Sequence, residues 1–350
     1  MINSISINGF KNLEKLENLP LNKITLIGGR NNTGKTTFLE AIFLFLDFIN
    51  PEVFGKLFTW RGLGGTWNPK EVWIKFFNYL NFEKEIKLSI NTDKINNGQV
   101  NIKFIKDYET TMPISVTENG ITTFKKNFSA LEIVYLANNS VDYKAHILCH
   151  SSTFYYLKEI DKMQEFLSVF YMGEEVRLHE NNNEYLGILD KADEQDKILP
   201  LLRLLEPNLL QLQLISESGI NIMYADLGNK KKIPVNMLGD GFCRCLTMAL
   251  ILSSNTTKVF LIDEVGAGIH YSVQNNLWDF LVKASNMFDS QIIATTHSLD
   301  TIKAFNNTIK NNNPSDFSYI RLGKKDDVIK PHIFDAETLD YSLSSELEIR

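Results

Sequence analysis

Cysteine is scarce in this sequence of 350 residues: only Cys149, Cys243 and Cys245 occur. Three, so unevenly spaced, exclude a disulfide framework. Cys243 and Cys245 form a close pair, but two residues apart on a helix they point in different directions, which favours packing over a redox or metal pair. Long apolar runs are also missing. A stretch such as AIFLFLDFI is interrupted by Asp47 and falls short of a bilayer span, so no membrane association is expected. The start, MINSISINGF, lacks the basic region and apolar core of a secretory signal, and a cytoplasmic location is expected. Positive charge is not in excess: 36 Lys and Arg face 42 Asp and Glu, a net charge of −6. Contact with nucleic acid would therefore need a local basic patch. What remains, 44% hydrophobic and 22% charged residues, suits one large or two ordinary globular domains.

The patterning predicts an α/β core assembled from both ends of the chain. INSISIN (2–8) alternates like a strand, and KITLIGG (23–29) reads as a buried one. KTTFLEAIFLFLDFI is a helix, apolar nearly all round and therefore deeply packed. Between 72 and 136 the runs VWIKFF, EIKLSI, VNIKFI, PISV and LEIVYL, separated by the turn clusters INNGQ and TENGI, predict antiparallel strands and hairpins. FYYLKEIDKMQEFLSVFYM (154–172) and EYLGILDKADEQDKILPLLRLLE (184–206) have helical spacing, with the break HENNN between them. LLQLQLISESGINIMYA reads as a hairpin with Ser-Gly at its tip. VFLIDE, a helix over about 271–287, and QIIATTH then predict buried parallel strands with crossover helices. NNTIKNNNPSD (306–316) is the expected loop. The expected divisions are a first lobe over 1–136, a helical and β insertion over 137–235, and a second lobe over 236–350.

GRNNTGKT, from Gly29 to Thr36, fits G-x-x-x-x-G-K-T and lies between a buried strand and a helix. Glycines let such a loop curl so that its N–H groups face phosphate oxygens, while the helix N-terminus adds its positive dipole. Gly29, Arg30, Asn31, Asn32, Thr33, Gly34, Lys35, Thr36 and Thr37 are thus the candidate ATP-binding residues. Lys35 would reach the β- and γ-phosphates, the Thr36 hydroxyl would ligate Mg²⁺, and Thr37 would bond the α-phosphate. Asn31 and Asn32 tolerate unusual backbone angles.

VFLIDE places Asp263 and Glu264 at the carboxyl end of a strand, where ligands of open α/β sheets collect. Asp263 would hold Mg²⁺ through water, and Glu264 would act as general base on the attacking water. QIIATTHS ends a neighbouring strand with His297, placed to donate to the γ-phosphate. LGDGFCR, Leu238 to Arg244, opens a second helix on bare backbone N–H groups, which is a second anion site. One nucleotide already has its own phosphate loop. The simplest resolution is a two-fold homodimer in which each ATP lies between the phosphate loop of one copy and Leu238, Gly239, Asp240, Gly241 and Arg244 of the other. Asp240 would cap the helix or compete with phosphate, and Arg244 would stabilise the dimer contact or brace the core.

Together these segments resemble the ABC-type P-loop ATPases of the SMC, RecF and OLD group. GRNNTGKT is similar to their Walker A loop, VFLIDE to Walker B, LGDGFCR to the signature motif and TTHS to the switch-histidine region. ISINGFKNL is similar to their first strand and its turn. DEVGAGIHYSVQNNLWDFL with QIIATTHSLDTI resembles the small prokaryotic AAA-family ATPases related to the OLD ATPase. The resemblance covers about 1–50 and 235–350 well and the middle only in outline. It implies an ATPase head with an antiparallel β flank and an inserted helical arm, ATP and Mg²⁺ as cofactors, ATP-driven dimerisation and a role in phage defence or DNA maintenance. It also implies a separately encoded effector, a TOPRIM-like nuclease or a toxin, with DNA a further candidate partner.

Departures from the pattern are specific. Gly239 stands where transporters carry Ser, no Gln lies between Thr37 and Gln99, and VGAGIHY replaces an acidic-Asn-Gly-Leu-His run. Only 53 residues (350 − 297) follow His297, too few for a TOPRIM domain, and Asp326 and Asp327 sit in KKDD, a solvated turn. The alternatives are a nuclease with its own unrecognised carboxylates and the nucleotide-binding subunit of a transporter. A GTPase reading lacks an Asn-Lys-x-Asp motif after a buried strand.

Overall fold

The computed structural model describes residues 1–62, 73–95, 97–118, 121–150, 153–162, 166–174, 176, 182–191, 194–229, 231–254, 257–345 and 347–349. The chain opens with the hairpin β1 (Ile2–Phe10) and β2 (Leu13–Pro20), followed by β3 (Ile24–Gly28), α1 (Lys35–Asp47) and α2 (Val53–Thr59). Next come β4 (Ile86–Thr92), β5 (Gly98–Glu118), β6 (Ile121–Ala137), β7 (Ser140–His150), β8 (Thr153–Asp161) and β9 (Val169–Met172). Two helices, α3 (Asn182–Lys191) and α4 (Leu199–Leu202), precede a small sheet of β10 (Gln211–Glu217), β11 (Ile220–Asp226) and β12 (Ile233–Pro234). The last third runs α5 (Asp240–Ser253), β13 (Val259–Ile262), α6 (Gln274–Phe288), β14 (Gln291–Thr296), α7 (Leu299–Lys310), β15 (Phe317–Lys325), β16 (Val328–Phe334) and α8 (Ala336–Ser344).

Two large sheets face each other across α1. The first is antiparallel, ordered β2-β1-β4-β5-β6-β7-β8, and the second is ordered β16-β15-β3-β14-β13-β9. In the second sheet β15, β3, β14, β13 and β9 are parallel, and β16 is the antiparallel edge. Strand periodicity divides its residues between two cores. Ile27, Val259, Leu261 and Ile293 face α1 and the antiparallel sheet. Leu26, Phe260, Ile262 and Ala294 face the opposite core, with side chains of α5, α6 and α7. Because α1 is covered on both sides, eleven of its thirteen side chains are buried. That explains an apolar sequence without a polar face, each large side chain contributing about 1.5–3 kcal/mol by leaving water. The mixed α/β head with its antiparallel flank agrees with the expected fold class.

Four expectations change. VWIKFF is not a strand: from Trp73 the chain makes a helical turn, and Trp73, Phe76 and Phe77 are all buried. Their i, i+3, i+4 spacing puts three aromatics on one side, and burying them decides the local form. FYYLKEI and SVFYM, expected in a helix, are the strands β8 and β9. Tyr156 turns to the α1 core while Tyr155 and Leu157 turn to a small cluster around Phe128, so period two wins there. The expected loop at 306 begins only at Asn311, because Ile302, Phe305 and Ile309 carry α7 onto the core. The expected boundary at 136 falls within a continuous sheet, which β7 and β8 extend to Asp161. In contrast, the Ser218–Gly219 hairpin tip is present, both residues having positive φ. Asn96 in INNGQ, residues 119–120 in TENGI, 163–165, and 179–181 in HENNN lie outside the described residues.

One buried ion cluster fixes α1 to what surrounds it. Glu40, fully buried, accepts from Lys11 Nζ at 2.8 Å and from Arg61 Nε and Nη2 at 2.7 and 2.8 Å. Burial lowers the Lys11 pKa despite that partner. Burial also opposes the Arg61 charge, yet Glu40, with Tyr171 and Asp263, holds its pKa above the ordinary value. Glu40→Ala should cost roughly 3 kcal/mol in urea unfolding, since removing one partner strands buried charge. A loss below about 1 kcal/mol would show that Lys11 and Arg61 find solvent unaided.

Candidate functional site

The chemistry-bearing residues lie along the carboxyl edge of the parallel sheet. Register brings the strand ends level: Thr296 pairs with Gly28, Arg321 also pairs with Gly28, and Ile262 pairs with both Ala294 and Met172. Loops leaving β3, β13 and β14 therefore meet without long reaches.

After β3 the phosphate loop curls tightly. Gly29 has φ 147° and Gly34 φ 88°, conformations that suit glycine. A Cβ on Gly29 would lie 2.6 Å from the Leu322 carbonyl oxygen, and one on Gly34 would lie 2.7 Å from Leu13 Cδ2. Asn32 also takes positive φ, as its residue type allows. Thr33 Oγ1 donates to the Arg30 carbonyl at 2.8 Å and closes the turn. Gly34 then caps α1, whose first residues are Lys35, Thr36 and Thr37. Lys35 Nζ donates to the Gly29 and Arg30 carbonyls at 3.0 and 3.2 Å and lies 3.6 Å from Glu264 Oε1. Asn31 and Asn32 are exposed, whereas Thr37 is buried. Arg30 extends outward to Glu348 Oε1 at 2.7 Å. Arg321 holds that segment, donating to the Glu348 carbonyl at 2.9 Å.

Asp263 receives hydroxyls from three elements. Thr36 Oγ1 donates to Oδ2 at 2.8 Å, Tyr171 Oη donates to Oδ2 at 3.2 Å, and Thr295 Oγ1 donates to Oδ1. The next residue, Glu264, has φ 47°, costly for a non-glycine residue by about 1–3 kcal/mol. Its backbone N–H donates to Thr295 Oγ1 at 2.8 Å, and its Oε2 accepts the His297 N–H at 3.1 Å. His297 Nδ1 lies 2.9 Å from the same oxygen. The kink thus turns the Glu264 carboxylate from the strand line toward Lys35 and His297.

Arg244 supplies what holds the kink. Its guanidinium donates to the Gly173, Glu174 and Val176 carbonyls at 3.1, 2.7 and 3.0 Å, and to the Asp263 and Glu264 carbonyls at 2.8 and 3.3 Å. It is 2% exposed, and burial lowers its pKa. Of its two readings, the internal brace is the observed geometry; as a residue reaching across to another copy it is corrected. Leu238, Gly239, Asp240 and Gly241 do lie at a helix start: Gly239 is the N-cap, and Gly239 and Asp240 are exposed. Cys243 and Cys245 are buried and not joined in a disulfide, Cys243 Sγ lying 3.1 Å from the Val235 carbonyl. Both are packing groups.

Thr36 and Asp263 supply hard oxygen donors side by side, which fits a small divalent cation such as Mg²⁺ that keeps water and phosphate in its shell. Among the described residues no group of three or more His, Cys, Asp and Glu side chains converges to hold a metal. Sequence reading missed Tyr171, Thr295 and Arg61. Thr295 had a signal, a polar residue at a buried strand's carboxyl end. Tyr171 was hidden because SVFYM read as helix.

The fold and this site define an ABC-type P-loop ATPase head, and the enzyme hydrolyses ATP. The chain belongs to the family described as "AAA domain, putative AbiEii toxin, Type IV TA system", which matches residues 24–302. It is 22% identical over 374 residues to an "ATP/GTP phosphatase" of Helicobacter pylori (strain ATCC 700392 / 26695), with 99% of each chain covered. Among solved structures it is similar to an SmcHead bound to the C-winged helix domain of ScpA, at TM-score 0.50 and 14% identity, covering 96% of this chain and 98% of that one. The SMC head domain from Thermotoga maritima gives TM-score 0.47 and 11% identity, with 95% and 99% covered. Among the described residues no helix is long and apolar enough to cross a membrane.

Arg244→Met should remove the guanidinium from five carbonyls, of which those of Gly173 and Glu264 keep a backbone donor, and release the Glu264 kink. Hydrolysis should fall at least tenfold while nucleotide affinity stays within about threefold, since Lys35 and the phosphate loop are untouched. Unchanged turnover, measured by phosphate release, would remove the brace from the catalytic geometry.

Proposed function

We propose that the protein is an ATP-switched homodimeric ATPase whose closed form controls a separate effector. The observation that carries the catalytic half is the direct contact network joining Lys35, Thr36, Asp263, Glu264 and His297 at one sheet edge. Gly29 to Thr37 cradle the phosphates of ATP, with Lys35 turning from the loop carbonyls to the β- and γ-phosphates. Thr36 and Asp263 would hold Mg²⁺, which would supply charge neutralisation on the phosphates when bound. Glu264 takes the proton of the attacking water. His297, oriented through Nδ1 by the same carboxylate, turns Nε2 to the γ-phosphate. Lys35 leaves Glu264 as phosphate enters, freeing the carboxylate for the water.

The second half of the reading concerns assembly. Leu238, Gly239, Asp240 and Gly241 form the start of a fourteen-residue helix, exposed at Gly239 and Asp240 and suited to the γ-phosphate of a neighbour's ATP. Asp240, in the first turn, would cap the helix or compete with phosphate. The family description names a putative toxin and a Type IV TA system, in keeping with use in phage defence. The effector in this reading is encoded separately, a toxin or a TOPRIM-like nuclease. DNA is the alternative cargo. Native capture of this protein with no stable partner would count heavily against the effector reading.

Glu264→Gln should retain ATP binding and lose roughly 10²-fold or more in hydrolysis, the scale of a lost general base. Light scattering of that variant should show the monomer mass without nucleotide and twice that mass with Mg-ATP. A monomer under both conditions would sink the trans role of the Leu238–Gly241 turn.

A further inference from the structure

Tyr171 lies where the proposed function has no use for a tyrosine. It is on β9, paired with Leu261 of the neighbouring strand, and its phenol oxygen reaches Asp263 Oδ2 at 3.2 Å. That oxygen also accepts from Thr36, so the two hydroxyls converge on one lone-pair face of the carboxylate. A phenol hydroxyl is a donor, so it offers its proton to the carboxylate at that distance. The ring is held from behind. Trp60, the residue after α2, stacks on it with centroids 4.1 Å apart at 11°, and Phe43 of α1 meets it edge-on at 6.5 Å. Trp60 is 36% exposed, and the next residue, Arg61, reaches back to Glu40.

We propose that Tyr171 is a positioning residue for the metal, holding Asp263 in the orientation that receives Mg²⁺, and that Trp60 follows the metal's arrival through the stacked ring. The inference rests on Asp263 and Thr36 being the metal-holding pair. Oδ2 accepts from both Thr36 and Tyr171. The Thr36 oxygen would offer a lone pair to the cation while its proton stays on Oδ2. Tyr171 donates to the same oxygen from the neighbouring strand and stops the carboxylate from rotating about its Cβ–Cγ bond, with Thr295 fixing the other oxygen. Any small shift of the carboxylate moves the phenol, and the phenol is rigid with a ring lying flat on Trp60. Metal binding is thereby coupled to the surface segment after α2, which carries Trp60 and the Glu40-bound Arg61.

The test uses Tyr171→Phe, which keeps the ring in its stack and removes only the hydroxyl. A fluorescent ADP analogue is first titrated in EDTA, then at rising Mg²⁺, and tryptophan emission is followed in parallel. Subtracting the emission of Trp60→Phe assigns the signal of Trp60. In EDTA, wild type and Tyr171→Phe should bind the analogue equally. The Mg²⁺ concentration for half-maximal tightening should rise about tenfold in Tyr171→Phe, the scale of one lost hydrogen bond to a charged group. Trp60 emission should change with Mg²⁺ at the same midpoint in wild type and lose most of that change in Tyr171→Phe. Equal or lower midpoints in the variant would overturn the positioning role, and constant Trp60 emission in wild type would overturn the coupling. If Mg²⁺ tightens nothing in wild type, or if Asp263→Asn retains the wild-type midpoint, the metal pair itself falls.

Discussion

The Arg244 guanidinium carries a positive charge into the core, where no carboxylate side chain among the described residues forms a salt bridge with it. Five main-chain carbonyls from two separate segments take its hydrogen bonds. Removing such a cation from water costs several kcal/mol, which the oriented carbonyl dipoles around Nη1 and Nη2 offset. Once those dipoles are in place, the ends of β9 and β13 cannot move independently. The positive φ of Glu264, the exposure of its carboxylate toward Lys35 and the stacking of hydroxyls on Asp263 all depend on that rigidity. A helix whose first turn faces outward thus sets, from its second turn, the shape of the catalytic edge.

The charged groups of the site are paired with one another. Lys35 bonds the carbonyls of its own loop and approaches Glu264, while Thr36 bonds Asp263. These contacts bring together the groups to which the proposed reaction assigns phosphate, metal and water. Lys35 and Glu264 stand at only 6% and 13% exposure, where an unpaired charge would be costly.

The parts legible in the sequence were those in which local chemistry determines local form. GRNNTGKT needs glycines where the backbone turns left-handed, and VFLIDE needs apolar residues where a strand is covered on both faces. Those constraints act within eight residues and survive without knowledge of the rest. What sequence left obscure depended on neighbours. FYYLKEI and SVFYM carry enough aromatic residues for either period, and the free edges of two sheets selected strands. Tyr171 became visible as a site residue only once SVFYM was placed beside VFLI. Arg244 was equally ambiguous, because a helical position one turn inside a motif says nothing about which way the side chain is received. Trp73, Phe76 and Phe77 show the reverse error: an apparent strand whose three aromatics were at helical spacing.

β3, which delivers the phosphate loop, lies between β14 and β15, and Gln291 bonds the main chain of Ile2 and Asn22 from the far end of the sequence. On the ribosome, the loop is made among the first residues, yet its strand has no partner on either edge of the parallel sheet until residues 291–325 emerge. Sheets closed by such distant segments form slowly, since a long loop must be ordered before the pairing rewards it. A nascent chain halted before β14 would therefore carry a complete Walker sequence on a strand with no neighbour in its sheet. The order of the strands makes the framework of the loop a property acquired late in translation.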